Sequence, residues 1–333
     1  MEKNSRSVNT VTGASGHIGA NLIRILQANG RRTRAVVHLD RLAVEGTGVE
    51  TVSGDILNPD SLLNAFSGSD VVYHLAVRIS LDSRETALMH RINVEGTKNV
   101  IDACLQAGVR RLVHFSSIHS LSSGPDDEPV DERAPLVQQR TALPYDRTKA
   151  SSEMLVLDAV GRGLDAVIVN PTAVIGPHDY RLSSMGKFLL SLYQRKMFAL
   201  VRGGFNWVDA RDVAEGALLA ESLGRCGERY LLGGSWLSLK DLAEMVREIT
   251  GVRCHTCVFP MWLARVGAPF ADSYARITGA QLLFSRQSLH ALRHHRNISL
   301  DKACKELGYR PRPIRETLRD TLEWYLRHGY PKV

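Results

Sequence analysis

Short apolar runs alternate with longer amphipathic stretches through the first half of the chain. The runs Val8–Thr12, Arg34–His38, Glu50–Ser53, Val71–Leu75, Arg111–Ser116 and Ala166–Asn170 are too short for helices and rich in β-branched residues, so they predict strands. Most are nearly continuous rather than alternating, which is the pattern of a parallel sheet covered on both faces. The segments at about 17–29, 60–66, 85–107 and 145–162 carry helical spacing. Strand–helix alternation of this kind predicts an α/β fold, a doubly wound parallel sheet. After Pro171 the regularity fades. The expected organisation is a first domain over residues 1–176, rejoined by 207–232, and a smaller, discontinuous lobe made of 177–206 and 233–333. A substrate is expected between them.

Composition removes several classes of function. The chain has 333 residues, 44% hydrophobic and 23% charged, an ordinary globular balance. No apolar run approaches the roughly 18 residues of a membrane span. The N-terminal stretch lacks the apolar core of a secretory signal, so a cytoplasmic location is expected. Cys104, Cys226, Cys254, Cys257 and Cys304 form a sparse, odd set that reads as reduced thiols. The net charge of +7 is concentrated after Arg286, without the interleaved aromatics of a single-strand nucleic-acid site. It reads as solvated surface, and neither a nucleic-acid partner nor stable membrane insertion is expected. Cys254-His255-Thr256-Cys257 has the spacing of half a zinc site, but no second half stands at a suitable distance, so no metal is expected. His290, His294 and His295 interleave with arginines as on a solvated helix face.

Candidate chemistry begins at Gly13-Ala14-Ser15-Gly16-His17-Ile18-Gly19, between the first strand and first helix. Glycines there allow a tight turn, close backbone approach to a pyrophosphate, and close helix–strand packing. The helix N-terminus adds N–H groups and positive dipole for phosphate.

Tyr145 and Lys149 stand at i and i+4 on one helical face. A phenol with a pKa near 10 is a poor acid or base at neutral pH, and a neighbouring ammonium stabilises its anion. Such a pair recurs by chance. Here it follows a predicted strand ending in Phe115-Ser116-Ser117 and a loop containing Gly124-Pro125, so that Ser117 is available to polarise a substrate oxygen.

Together these residues resemble the extended short-chain dehydrogenase/reductase family, the NAD-dependent epimerase/dehydratase superfamily. The glycine spacing, Asp55, Asn93 to Asn99, Glu153, Asn170 to Pro177, and Leu307 to Pro311 extend the likeness over nearly the whole chain. The resemblance implies a Rossmann-type sheet, a nicotinamide cofactor and a homodimer. It implies Tyr145 as general acid/base, Lys149 as its partner and ribose ligand, and Ser117 as the group on the carbonyl. Cofactor contacts would come from Gly13, Ser15, Gly16, His17, Ile18 and Gly19 at the phosphates, and from Asp55 and Ile56 at the adenine. Leu75, Ala76 and Val77 would line the cofactor. Asn93 would brace a helix near Lys149, and Pro171 and Val174 would meet the nicotinamide. His38 stands where NADP-using relatives often carry arginine, which favours NADP; Asp40 keeps NAD open.

Within the family, Ser117-Ile118-His119-Ser120 lacks the carboxylates of a sugar-nucleotide dehydratase. Phe205 stands where epimerases place a diphosphate-binding arginine, and Asn170-Pro171 replaces another arginine position. Both departures favour a ketone, aldehyde or secondary alcohol on an apolar organic molecule, as in the dihydroflavonol-4-reductase-like subgroup. The apolar stretch from Pro260 to Leu283 would suit such a pocket, lobe core or a membrane surface. Two alternatives stand: a nucleotide-sugar epimerase using the same residues, and a non-catalytic cofactor-sensing protein.

Overall fold

A computed structural model describes residues 7–80, 82–123, 128–138, 142–197, 199–252, 257–260 and 297–330. The Gly124-Pro125 loop, most of the Pro260–Leu283 stretch, Cys254 to Thr256 and the histidines from His290 to His295 lie outside those residues.

The main sheet contains β1 (Val8–Thr12), β2 (Thr33–Val37), β3 (Glu50–Ser53), β4 (Ser69–His74), β5 (Arg111–Phe115), β6 (Ala166–Pro171) and β10 (Arg229–Leu232). Its order is β3-β2-β1-β4-β5-β6-β10, with every neighbouring pair parallel. This is the expected doubly wound Rossmann-type sheet. The alternation of side chains shows why its central strands carry apolar residues at successive positions. Val71 and Tyr73 join one core, while Val72 between them joins the other. The same division separates Val167 and Val169 from Ala166 and Ile168. One face is covered by α1 (His17–Ala28) and α7 (Ala210–Leu223). The other is covered by α2 (Pro59–Phe66), α4 (Gly96–Ala107) and α5 (Pro144–Gly161).

The predicted helix over 85–107 is interrupted. A short α3 (Thr86–His90) runs into a π-helical turn at Arg91–Glu95 before α4 begins. Within that turn the Asn93 carbonyl accepts from Thr97 Oγ1 at 2.7 Å, a side-chain contact that competes with regular helical bonding.

A second core gathers Ile175, Phe188, Leu192, Trp207, Val246 and Leu322. It is built by β7 (Ala173–Ile175), α6 (Ser184–Tyr193), β8 (Ala199–Val201), β9 (Gly204–Asp209), β11 (Ser235–Ser238), α8 (Leu239–Thr250) and α9 (Ile314–Arg327), while β12 (Cys257–Phe259) is exposed. Strands β11, β9 and β7 form a small sheet, and β12 pairs with β8. Trp207 therefore belongs to the small sheet, whereas Val208 already packs in the main core and α7, from Ala210, lies in the main layer. The two parts are fastened by Arg312, whose Nε lies 2.6 Å from Asp212 Oδ1 on α7.

Candidate active site

Every predicted site residue preceding Asn93 follows the C-terminal end of a main-sheet strand, and so does Ser117. The strand order reverses between β1 and β4, and the crevice outside such a switch point is where open α/β sheets bind ligands.

At the glycine loop, Gly13 takes φ +70°, and a Cβ there would lie 2.6 Å from Ala76 N and from Leu75 C. A Cβ on Gly19 would strike the Gly13 carbonyl. The Gly16 N–H donates back to that carbonyl at 2.9 Å, closing the turn. Gly16 also caps α1 without any side-chain acceptor for its first N–H groups. A bare, side-chain-free cradle at a helix N-terminus fits a dinucleotide pyrophosphate. Ile18 packs into the core beneath. Ser15 donates its hydroxyl to the Asp40 carbonyl, bracing the loop from the β2 side. His17 departs from its expected place at the phosphates. Its Nε2 lies 3.1 Å from the carbonyl oxygens of Gly176 and Pro177, so its ring tethers α1 to the turn after β7. Only its backbone is left for a phosphate.

After β2 and β3, His38 Nε2 and Asp55 Oδ2 are 3.9 Å apart, both side chains well exposed. Asp55 accepts from Leu57 N at 2.9 Å, which fixes the carboxylate beside Ile56. Ile56 packs against Gly96, where a Cβ would come within 2.6 Å of its Cδ1. Asp40 is held away by an ion pair with Arg181 and by the Leu42 N–H. Arg34 also has other employment, on Glu50 and the carbonyls of Ala65 and Ser67. Of His38 and Asp40, His38 presents the largely exposed side chain beside Asp55.

The predicted reacting groups lie close together. Tyr145 and Lys149 occupy the first turns of α5, which Pro144 opens. The Tyr145 hydroxyl is hydrogen-bonded to Ser117. Ser117 starts a short 3-10 turn over Ile118–Ser120, its Oγ accepting from His119 N at 3.2 Å. Lys149 is buried and donates from Nζ to the Phe115 carbonyl at 2.7 Å. Desolvation pushes Lys149 down to about 8, opposed by Glu153. Desolvation likewise pushes the Tyr145 phenol up to about 12, opposed by its Ser117 hydrogen bond and reinforced by the charge of Asp146. Burial thus favours the neutral form of the phenol.

Around the pair, Asn93 accepts from Arg78 N at 2.8 Å and donates to Arg78 O and Thr148 Oγ1, each at 3.0 Å. It thus joins the loop after β4 to α5. Leu75 and Ala76 are pinned to β1 through Thr12, while Val77 is exposed. Pro171 ends β6 and is buried; Val174 sits in β7, partly covered.

Sequence reasoning missed the roles of several neighbours. Glu153, fully buried, accepts from Ser116 Oγ at 2.6 Å, Ser120 Oγ at 2.7 Å and Asn170 Nδ2 at 3.1 Å. Its other oxygen faces Arg229 Nε at 2.9 Å. Asp146 was also missed: its Oδ1 is 3.5 Å from His119 Nδ1, and desolvation pushes its carboxyl up to about 7. The only signal for Asp146 in the sequence is its place next to Tyr145. Among the described residues no group of histidine, cysteine and acidic side chains has the arrangement of a metal site.

The profile of the NAD-dependent epimerase/dehydratase family matches residues 10–233. The chain belongs to that family. Its members include reductases, dehydratases and epimerases that use NAD(P), and the cradle above fits that cofactor class. The family member described here is 34% identical to sterol demethylase protein B of Methylococcus capsulatus, over 96% of this chain and 98% of the relative. It is 31% identical to a putative dihydroflavonol 4-reductase of Synechocystis, over 97% and 96%. The crystal structure of gox2253 superposes with a TM-score of 0.86 at 35% identity, covering 98% of this chain and all of that one. No helix among the described residues is long and apolar enough to cross a membrane.

Proposed function

We propose that this family member is an oxidoreductase that interconverts a ketone or aldehyde and the corresponding alcohol on an apolar organic molecule. The observation that carries the reading is the hydrogen bond between Tyr145 and Ser117, beside a buried Lys149 and over the C-terminal edge of the sheet. Bound nicotinamide would supply the hydride to the carbonyl carbon. Ser117 would donate to the carbonyl oxygen and polarise it. Tyr145, held neutral by burial, would pass its hydroxyl proton to the oxygen as negative charge builds there. Lys149 would hold the nicotinamide ribose, and its cation would stabilise the phenolate left after transfer.

Several features support an apolar substrate. Phe205, at the position of an epimerase's diphosphate clamp, packs edge-on against Trp207 with ring centroids 5.3 Å apart. Asn206 beside it is occupied by Thr172 Oγ1 at 3.0 Å and Gly234 N at 2.8 Å. Val77 and Ile79, beyond β4, are exposed. The names of two relatives, sterol demethylase protein B and a putative dihydroflavonol 4-reductase, accord with such a substrate. We further infer that substrate lies between residues 1–176 with 207–232 and the second lobe, that His38 favours NADP over NAD, and that the chain works as a cytoplasmic homodimer.

Fluorescence titration with NADPH and NADH, followed by a panel of 3-ketosteroids, dihydroflavonols and aryl ketones read at the reduced-nicotinamide band, tests the reading. Tyr145→Phe should bind cofactor like the parent and lose at least about 100-fold in kcat. A silent panel, with turnover of nucleotide sugars instead, would sink the proposal.

A further inference from the structure

We propose that Glu153 is a positioning residue of the active site: its buried carboxylate, held by Arg229, fixes the turn that carries Ser117 against α5 and so sets Ser117 at Tyr145. The proposal rests on the reading of Ser117 and Tyr145 as the groups that meet the substrate oxygen.

Tyr145, Lys149 and Glu153 stand at successive fourth positions of α5, so one stretch of helix carries all three. One Glu153 oxygen accepts from Ser116 Oγ at 2.6 Å, Ser120 Oγ at 2.7 Å and Asn170 Nδ2 at 3.1 Å. These donors come from the end of β5, the 3-10 turn and β6. Arg229 of β10 meets the other oxygen at 2.9 Å. The guanidinium is itself fixed, donating from Nη1 to the carbonyls of Glu132 and Ala134 at 3.3 and 3.1 Å.

The consequence falls on Ser117. A carboxylate only accepts, so the single hydroxyl proton of Ser120 points to Glu153 and not to the Ser117 carbonyl 2.9 Å away. That carbonyl is left to Ser120 N at 3.0 Å and Asn170 Nδ2 at 3.1 Å. Both donors belong to residues whose side chains are bound to Glu153. The backbone of Ser117 is therefore held by the carboxylate through two residues. Its Oγ is left with His119 N at 3.2 Å and the Tyr145 hydroxyl.

Burial of the charge argues for placement over stability. Well-packed apolar side chains of the same volume stabilise such a space as well as an ion pair does, or better. Three neutral donors and a guanidinium converging on one carboxylate instead select a single geometry. The same charge opposes the desolvation of Lys149. Glu153 acts through its neighbours and does not itself reach the reacting atoms.

The test uses the full-length protein with tyrosine labelled with carbon-13 at Cζ. Turnover is measured with NADPH or NADH and the ketone of the panel that it reduces fastest. The variants are Ser117→Ala, Glu153→Gln and Ser120→Ala. The last cuts the turn's own link to the carboxylate but keeps the charge near Lys149, and it carries the test alone if Glu153→Gln does not fold. The Tyr145 Cζ resonance, assigned by its loss in Tyr145→Phe, should move in Glu153→Gln and Ser120→Ala in the direction it moves in Ser117→Ala. Cofactor affinity should stay within about twofold. Each variant should lower kcat about fivefold or more in the parent, and less than about twofold on top of Ser117→Ala. A defect unrelated to Ser117 would add its full loss to that variant. The proposal is overturned if the Tyr145 resonance is unmoved in the variants that fold, or if their losses multiply with that of Ser117→Ala. The Tyr145 reading fails separately, through a silent ketone panel or activity retained by Tyr145→Phe; the resonance decides the placement of Ser117 in either case.

Discussion

At the scale of single residues, the site is governed by what burial does to titratable groups. His74 bridges Thr12 Oγ1 at 2.8 Å and Thr97 Oγ1 at 3.0 Å, and desolvation lowers it from 6.5 to about 3, with Lys149 adding to the shift. The unfolded chain accepts a proton on this ring near 6.5, whereas the folded chain accepts it only near 3. Protons therefore favour unfolding. The contribution of His74 is constant above pH 6.5 and costs stability as pH falls from there towards 3, at up to about 1.4 kcal/mol per pH unit. His114 adds in the same direction. The raised Asp146 carboxyl acts oppositely over the same interval, so the imidazole contribution is read in Asp146→Asn. Urea unfolding of that variant at pH 7.5, 6.5 and 5.5 should show a nearly flat upper interval and a loss across the lower one; an unchanged midpoint at 5.5 would contradict it. Legibility at this scale was uneven. Tyr145 and Lys149 share a helical face and stood out. Asp146, one position on, points about 100° away around the helix. Its pairing with His119 depends on a turn that no helical periodicity reveals.

At the scale of elements, β4, β5 and β6 were legible because they carry apolar residues on both faces and are buried by helices on both sides, while the edge strand β3 is largely exposed. Their predicted bounds differ from the observed ones by a residue or two. The helix over 85–107 was legible in position but not in form. In its π-helical turn the Asn93 carbonyl accepts from Thr97 Oγ1, and the Asn93 side chain is bonded to Arg78 and Thr148, partners distant in sequence. The glycine loop shows the tightest coupling between elements. Gly13 has both a left-handed φ and backbone of the β4 edge where a Cβ would stand. Backbone does not yield as a side chain does, so Gly13→Ala should cost about 1–3 kcal/mol in stability. It should also weaken cofactor binding, measured by nicotinamide fluorescence. Parent-like affinity in this variant would show that the cradle tolerates displacement. His17 was misplaced by its position in the motif: its ring serves the junction with Gly176 and Pro177, and nothing in the local sequence signals that contact.

For the whole molecule, the second lobe was the least legible part, since its small sheets combine β7, β9 and β11 from separated stretches. Its attachment relies on charge as well as on apolar packing. Asp212 on α7 is buried, and Arg312 meets it through both backbone N–H and side chain, at 2.8 and 2.6 Å. Removing Arg312 would strand that carboxylate. Arg312→Ala should therefore destabilise the protein by about 3–5 kcal/mol, with earlier hydrogen exchange in α7 and α9 than in β1. Uniform exchange across the chain would argue against a local role at the junction.

The central claim is that this arrangement moves a hydride to a carbonyl carbon and leaves it there. The most direct measurement uses reduced cofactor carrying deuterium at the transferable position of the nicotinamide, with the best ketone of the panel and analysis of the alcohol by mass spectrometry and NMR. The account predicts one deuterium on the carbinol carbon per cofactor oxidised, and none with Tyr145→Phe on the same timescale. Unlabelled product, or a nucleotide sugar inverted with no net cofactor oxidation, would contradict it.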